Sequence, residues 1–550
     1  MSAAAGDPIL LGIQWDRLIS ICDEIISWLV RTSFSTNVRE SYDLSCVIFD
    51  ARGRSIAQGS YSVPSFTGTA PATLRHLLAK FPPGTLEPGD VIATNDPWLG
   101  TGHLYDINVM QPVFRAGRLV GYTMSITHLP DVGGAGYGAT AREIFEEGFW
   151  LPPVKLVRGG KLDQTLIDIV ATNVRVPEQT VGDIMANVAC TTVGGRMLCE
   201  FLDEYRLDDL QELADGILAF SERAMRSEIE GLPAERYAHG VDIEGVDGPL
   251  RLCCAIAFKD GIAHLDFDGT SPSVAAGINV PLCYTRAMAC YAIKCLTTPR
   301  IPNNEGSVRP IRVTAPRGCI LDALPPSPTG GRHVIGHFVP PLIFGALAAV
   351  FPEKVQADAG MLDVINVQGR TNEGRGISSI FFASGGLGAM SGLDGASATP
   401  GPSNMTGTPV EVWENITDTF IVAKELLADS GGPGEFRGGL GQRIGMRNDS
   451  VHPLQVSCLA GRDVFAPAGL LGGQAGGKRE VRINGRKVDP KGRYFLHKGD
   501  VLTTMEAGGG GFGDTSRRPA EKVAADVRAG LVSPAKALAD YGVRSGRRGS

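Results

Sequence analysis

Apolar residues open the chain at helical spacing. Leu10, Ile13, Leu18, Ile21, Ile25 and Leu29 mark one face, which predicts an amphipathic helix over Pro8 to Arg31. The period then shortens. SYDLSCVIFDARGRSIAQGS alternates and turns at Asp50-Ala51-Arg52-Gly53, a β-hairpin pattern with Asp43 leading its first strand. PATLRHLLAKF predicts a short helix, LEPGDVIATNDP a turn, a strand and a turn, and INVMQPVF with GYTMSIT two strands joined across Arg115-Ala116-Gly117-Arg118. A helical region follows: Leu162 to Val170, then a long stretch that Pro177 can start, then Asp203 to Ile229.

From about Tyr237 alternation returns. RLCCAIAFKDGIAHLDFDGTSPSV predicts two strands joined by Lys259-Asp260-Gly261. INVPLCYTRAMACYAIKCL predicts a helix, and so does TGGRHVIGHFVPPLIFGALAAVFPE, entered from a glycine-rich turn. Gly369 to Pro409 reads partly as loop. From there to about Thr504 the chain alternates, with an Asn484-Gly485 turn, and the tail carries one or two short helices. The expected class is α+β: mixed and antiparallel sheets, a helical N-terminal region and a short helical C-terminal tail. Boundaries at Gly231-Leu232-Pro233 and in the proline-rich run after Ala323 divide it into 1–232, 233–323, 324–514 and 515–550.

Composition narrows the function classes. The 550 residues carry a net charge of -7 and no basic run, which argues against general binding to nucleic acid or a membrane surface. No apolar run is long enough to span a bilayer, and the N-terminus lacks the pattern of a signal peptide. The 11 cysteines are scattered without metal-finger spacing, so buried free thiols and a reducing, cytoplasmic location are expected. The 71 glycines cluster in GGPGEFRGGLG and AGGGGFGD. Neither cluster contains the phosphate-loop lysine pattern or follows a strand-to-helix context, so tight turns and close packing are expected of them.

The chemistry concentrates between Ala93 and Gly134. Two of nine histidines lie there, each followed three residues later by an aspartate: His103 with Asp106, and His128 with Asp131. Imidazole nitrogen and carboxylate oxygen together suit a divalent ion such as Mn, Fe or Zn. A fully extended strand would set His103 and Asp106 on opposite faces, but the turn offered by Gly100-Thr101-Gly102 removes that obstacle. Antiparallel return of the second strand brings His128 beside them. Asp96, in Asn-Asp-Pro, and Asp43 are further candidate carboxylates. His333 and His337, four apart, lack the glutamate of a metalloprotease helix. Glu143, Glu146 and Glu147 are expected to be solvated. No serine-hydrolase elbow or cysteine-hydrolase motif is present.

Long motifs then carry a family resemblance. RTSFSTNVRESYDLSCVIFD, NDPWLGTGHLYDINVMQPVF, HLPDVGG, EIFEEGFWLPPVKL, NVRVPEQTVGD, IPNNEGSVRPI, DSGGPGEFRGGLGQR and GGGGFGD resemble the hydantoinase B family over nearly the whole length. This is the HyuB-type subunit of ATP-dependent hydantoinases and 5-oxoprolinases, related to subunits of acetone and acetophenone carboxylases. The resemblance implies a HyuA-type ATP-binding partner subunit of the actin-like ATPase kind and a hetero-oligomer. It also implies a metal ligand set, carried here by His103, Asp106 and His128. The activity implied is opening of a small cyclic amide or imide whose oxygen the partner activates as a phosphate. In that reading Asp131 or Asp96 acts as general base, and Asp43 contacts substrate or serves as base. Two alternatives remain at this point: a subunit of an ATP-dependent ketone carboxylase, and a structural subunit that the metal merely staples.

Overall fold

The computed structural model describes residues 7–543. The first helix, α1 (Pro8–Thr32), starts where Asp7 accepts hydrogen bonds from the backbone N–H of Ile9 and Leu10, with proline at its first position. Its buried stripe, Leu18, Ile21, Ile25 and Leu29, lies over the first sheet.

That sheet has seven strands: β1 (Leu44–Asp50), β2 (Ser55–Gln58), β3 (Val91–Thr94), β4 (Asp106–Arg115), β5 (Arg118–His128), β6 (Val154–Arg158) and β7 (Lys161–Leu162). The spatial order is β2-β1-β5-β4-β3-β6-β7 and every pair is antiparallel. β4 and β5 form the predicted hairpin, turning at Ala116 and Gly117, both with positive φ. The helix Pro177–Glu204 covers this hairpin.

A four-stranded mixed sheet follows, with Arg236–Glu244, Pro249–Lys259 and Ile262–Asp266 antiparallel and Ile311–Thr314 parallel to its neighbour. Two antiparallel sheets of four and five strands complete the C-terminal half, and the second closes through the expected Asn484-Gly485 turn. Short helices Ala520–Arg528 and Pro534–Tyr541 form the tail. The fold is therefore α+β as the pattern predicts. The expected helix after Gly330 is broken into His333–Gly336 and Val339–Ala346, because Pro340 and Pro341 cannot continue the hydrogen-bond ladder of the turn before them. Among the described residues no helix is long and apolar enough to cross a membrane. All eleven cysteines are free, and none is exposed.

The glycine clusters pack more than they turn, with positive φ only at Gly513. Gly386, Gly432, Gly439 and Gly508 to Gly511 do not adopt positive φ. They run side by side as segments outside any sheet, linked by backbone hydrogen bonds: Gly432 N–H to Gly509 O, Gly509 N–H to Gly439 O, Gly439 N–H to Leu387 O. A Cβ added at Gly509 would sit 2.0 Å from the Leu387 carbonyl oxygen, and at Gly386 1.9 Å from that of Gly439. Only a residue without a side chain fits there.

Candidate metal centre

The hairpin register places the site. Asp106 is the first residue of β4, His128 the last of β5, and the two are direct cross-strand partners. His103 reaches them from the turn before β4, in which Gly102 takes φ +98. One ligand atom from each of His103, Asp106 and His128 lies within 4.8 Å of the other two. His103 Nε2 stands 3.0 Å from Asp106 Oδ1. All three residues are at most 3% exposed.

Each histidine is oriented from behind. The Nδ1–H of His103 donates to the Gly330 carbonyl at 3.0 Å, and that of His128 to the Leu129 carbonyl at 2.8 Å. A carbonyl only accepts, so these contacts put the hydrogen on both Nδ1 atoms and a lone pair on both Nε2 atoms, and the Asn37 amide 3.2 Å from His128 Nδ1 then turns its oxygen to it. Among the described residues those two Nε2 atoms and Asp106 Oδ1 are buried without any hydrogen-bond partner. Two acceptors facing each other at 3.0 Å repel unless a proton or a cation lies between them. Burial, helped by Arg332, pushes the His103 pKa down, and burial with His103 pushes that of His128 to about 3, so a shared proton is disfavoured near neutrality. Burial alone would raise the Asp106 pKa. His103 and Arg332 outweigh it and hold the group ionised. Two imidazole nitrogens and one carboxylate oxygen, dry and unsatisfied, fit a divalent ion of the Mn, Fe or Zn type and leave coordination positions open.

Arg332 completes the arrangement. Its Nη2 donates to Asp106 Oδ2 at 2.6 Å, its Nε donates to the Thr101 carbonyl at 2.7 Å, and its guanidinium lies over the Tyr284 ring. Nothing local to the H-x-x-D motifs announces an arginine 226 residues away. Glu147 departs from expectation too. It is buried, not solvated, and accepts from the Gly330 N–H at 2.7 Å, one peptide group from His103. Burial outweighs that contact and raises its pKa to about 7.

The candidate carboxylates separate. Asp43 lines a cavity of about 40 Å³ together with His103, His128, Arg332 and His337. Its backbone carbonyl accepts from the His128 N–H. Burial and the nearby Asp106 raise the Asp43 pKa well above the usual range, against the pull of Arg332. Asp131 is not brought to that cavity; its oxygens accept from the backbone N–H and Nη1 of Arg175. Nor is Asp96, which accepts from the N–H groups of Trp98 and Leu99 and from Trp150 Nε1. His333 and His337 face the cavity, but neither belongs to the three-atom cluster.

Comparison with known proteins gives the chain its family. The family profile described as Hydantoinase B/oxoprolinase matches residues 7–515. The chain is 30% identical to the caprolactamase subunit beta of Pseudomonas jessenii over 98% of its own length and 96% of that protein. It is 29% identical to 5-oxoprolinase 1 of Arabidopsis thaliana over 92% of its length, which spans 42% of that longer protein. The solved ATP-dependent caprolactamase from Pseudomonas jessenii superimposes with a TM-score of 0.90 at 27% identity, covering 99% of this chain and 97% of that one. A nucleotide-free acetone carboxylase shares the fold, with a TM-score of 0.90 at 18% identity over 100% of this chain and 81% of that one. The chain belongs to the hydantoinase B/oxoprolinase family.

Proposed function

We propose that this chain is the B subunit of an ATP-dependent cyclic amidohydrolase. It opens a cyclic amide or imide activated by a separate HyuA-type ATP-binding subunit. One observation carries the reading: the facing donor atoms of His103, Asp106 and His128, buried with no hydrogen-bond partner. The likeness to a caprolactamase subunit along nearly the whole chain supports a cyclic amide as the substrate. The glycine-rich segments spend their N–H groups on one another, which supports assigning ATP to the partner.

A divalent ion held by His103, Asp106 and His128 would supply Lewis-acid polarisation of the reacting carbonyl and lower the pKa of water. The chain's own groups do the rest. Arg332 fixes Asp106 through Oδ2, so Oδ1 stays directed inward. The Gly330 and Leu129 carbonyls hold each imidazole with Nε2 free. Apolar walls such as Phe66, Leu362 and Phe382 keep bulk water out. Asp43, on the wall of the same cavity, is the base: water's oxygen bonds to the carbonyl carbon as its proton passes to Asp43. The ring C–N bond then breaks and the nitrogen takes up that proton; the phosphate that the partner places on the amide oxygen leaves when a further water hydrolyses the resulting acyl phosphate.

The test is metal content and partner-supported, ATP-dependent ring opening in His103→Ala and His128→Ala. Each variant is expected to lose the metal and at least about 100-fold of activity, since even outer partners of a ligand are worth about 10–100-fold. Normal metal and full activity in both would overturn the assignment. Incorporation of labelled bicarbonate into product, without ring opening, would move the reaction to carboxylation.

A further inference from the structure

The cavity at the metal ligands, about 40 Å³, has room for a water or one functional group but not for a ring. A larger cavity of about 380 Å³ adjoins it. His337 lines both, and three short segments serve both: Val63-Pro64-Ser65, Met361-Leu362 and Ser403-Asn404-Met405. The volume falls in the range of small-molecule sites.

Two features of this outer cavity point to its ligand. First, among the described residues no Asp, Glu, Lys or Arg lines it. Its walls are apolar groups such as Phe344, Ala359 and Met361, broken by the uncharged polar side chains of Gln356, Thr399 and Asn404. Secondly, the His337 ring, 3% exposed, makes no side-chain hydrogen bond among the described residues, although it stands at the junction of the two cavities. Burial, with His333 and Arg332 nearby, pushes its pKa well down, so it offers a neutral donor and acceptor.

Resting on the amidohydrolase reading, we propose that the outer cavity seats the body of the substrate and that His337 hydrogen-bonds its polar edge. The ligand class is an uncharged cyclic amide, carrying no ionised substituent on the ring body that the outer cavity seats. A carboxylate placed there would be buried without a counter-ion lining the cavity, which disfavours its binding.

The test uses the complex of this chain with its ATP-binding subunit. Ring opening is compared for a plain lactam and for the same lactam bearing a carboxylate next to the ring nitrogen. The plain lactam is expected to lead in kcat/KM by at least about 100-fold. Ala359→Phe, which fills the cavity, should raise the KM for the plain lactam about tenfold or more with metal content unchanged. His337→Phe should lower kcat/KM for the same substrate, again with metal retained. Ala359→Leu replaces the larger variant if that one does not fold. Equal rates for the two lactams, or an unaltered KM in a folded cavity-filling variant, would overturn the subsite. If His103→Ala still abolishes activity in that case, the amidohydrolase reading stands without it. Should the complex open neither lactam, ligand-observed NMR of the plain lactam with the metal-loaded chain decides. Saturable binding lost in the Ala359 variant supports the subsite, and binding that is absent or indifferent to the variant overturns it.

Discussion

Two buried regions of this molecule handle polar atoms in opposite ways. In the glycine-rich bundle, the N–H groups of Gly386, Gly432, Gly439, Gly509, Gly510 and Gly511 each find a carbonyl on a neighbouring segment. At the end of the β4–β5 hairpin, His103 Nε2, His128 Nε2 and Asp106 Oδ1 face one another with none. An unmet buried polar atom costs about 1–3 kcal/mol, more when charged. A fold that leaves three together, each held from behind by a carbonyl or an arginine, stores that cost for a ligand. The bundle stores nothing; it is a scaffold. Between these two regions the difference is satisfaction, not burial.

The comparison can be broken at either region, and the largest effect is expected in the bundle. Gly509→Ala drives a methyl into the Leu387 carbonyl, where backbone cannot yield as a side chain would. It should cost more than about 3 kcal/mol or prevent folding, read by denaturant unfolding. A near-neutral result would mean that the bundle is not tightly packed. Next come the two aspartates, which sharpen the site. Asp43→Asn should lower turnover by roughly 10²–10⁴-fold with metal retained. Asp131→Asn should leave metal in place and instead weaken the fold by about 1–3 kcal/mol, because the Arg175 contacts lose their charged acceptor. The reverse pattern would move the base to Asp131.

The last effect, small over any single pH unit, is a pH slope. Burial holds the His333 pKa at about 3. The unfolded chain therefore takes up a proton near pH 6.5, before the folded one does. The contribution is whole above about pH 6.5 and is lost as pH falls toward 3, at up to about 1.4 kcal/mol per pH unit. In metal-free protein His333→Phe should flatten the acid limb of the stability curve over that window. An unchanged slope would show that this histidine is solvated.

Local pattern carried much of the architecture. The Ala116-Gly117 turn, the alternation of β4 and β5, and the helical stripe of α1 are properties of adjacent residues, and all are where periodicity puts them. The juxtaposition of His103, Asp106 and His128 was readable for the same reason, because one hairpin contains it. Arg332 was not, since only tertiary packing brings it to Asp106. Glu147 looked like a loop carboxylate because its burial depends on the Gly330 peptide 183 residues away. The glycine clusters met the expectation of close packing, with backbone lying against backbone, whereas positive φ within them is confined to Gly513. Asp96 and Asp131 sit in the motif yet turn to Trp98, Trp150 and Arg175, which spacing does not encode.

The central claim is that the three unmet atoms are a metal's ligands. Anomalous X-ray diffraction from the purified complex, collected at the absorption edges of Mn, Fe and Zn, tests it most directly. The account predicts one peak at roughly 2.0–2.2 Å from His103 Nε2, Asp106 Oδ1 and His128 Nε2 together, and its loss in His128→Ala. Stoichiometric metal bound elsewhere, with these three side chains closed on one another or on a proton, would contradict it.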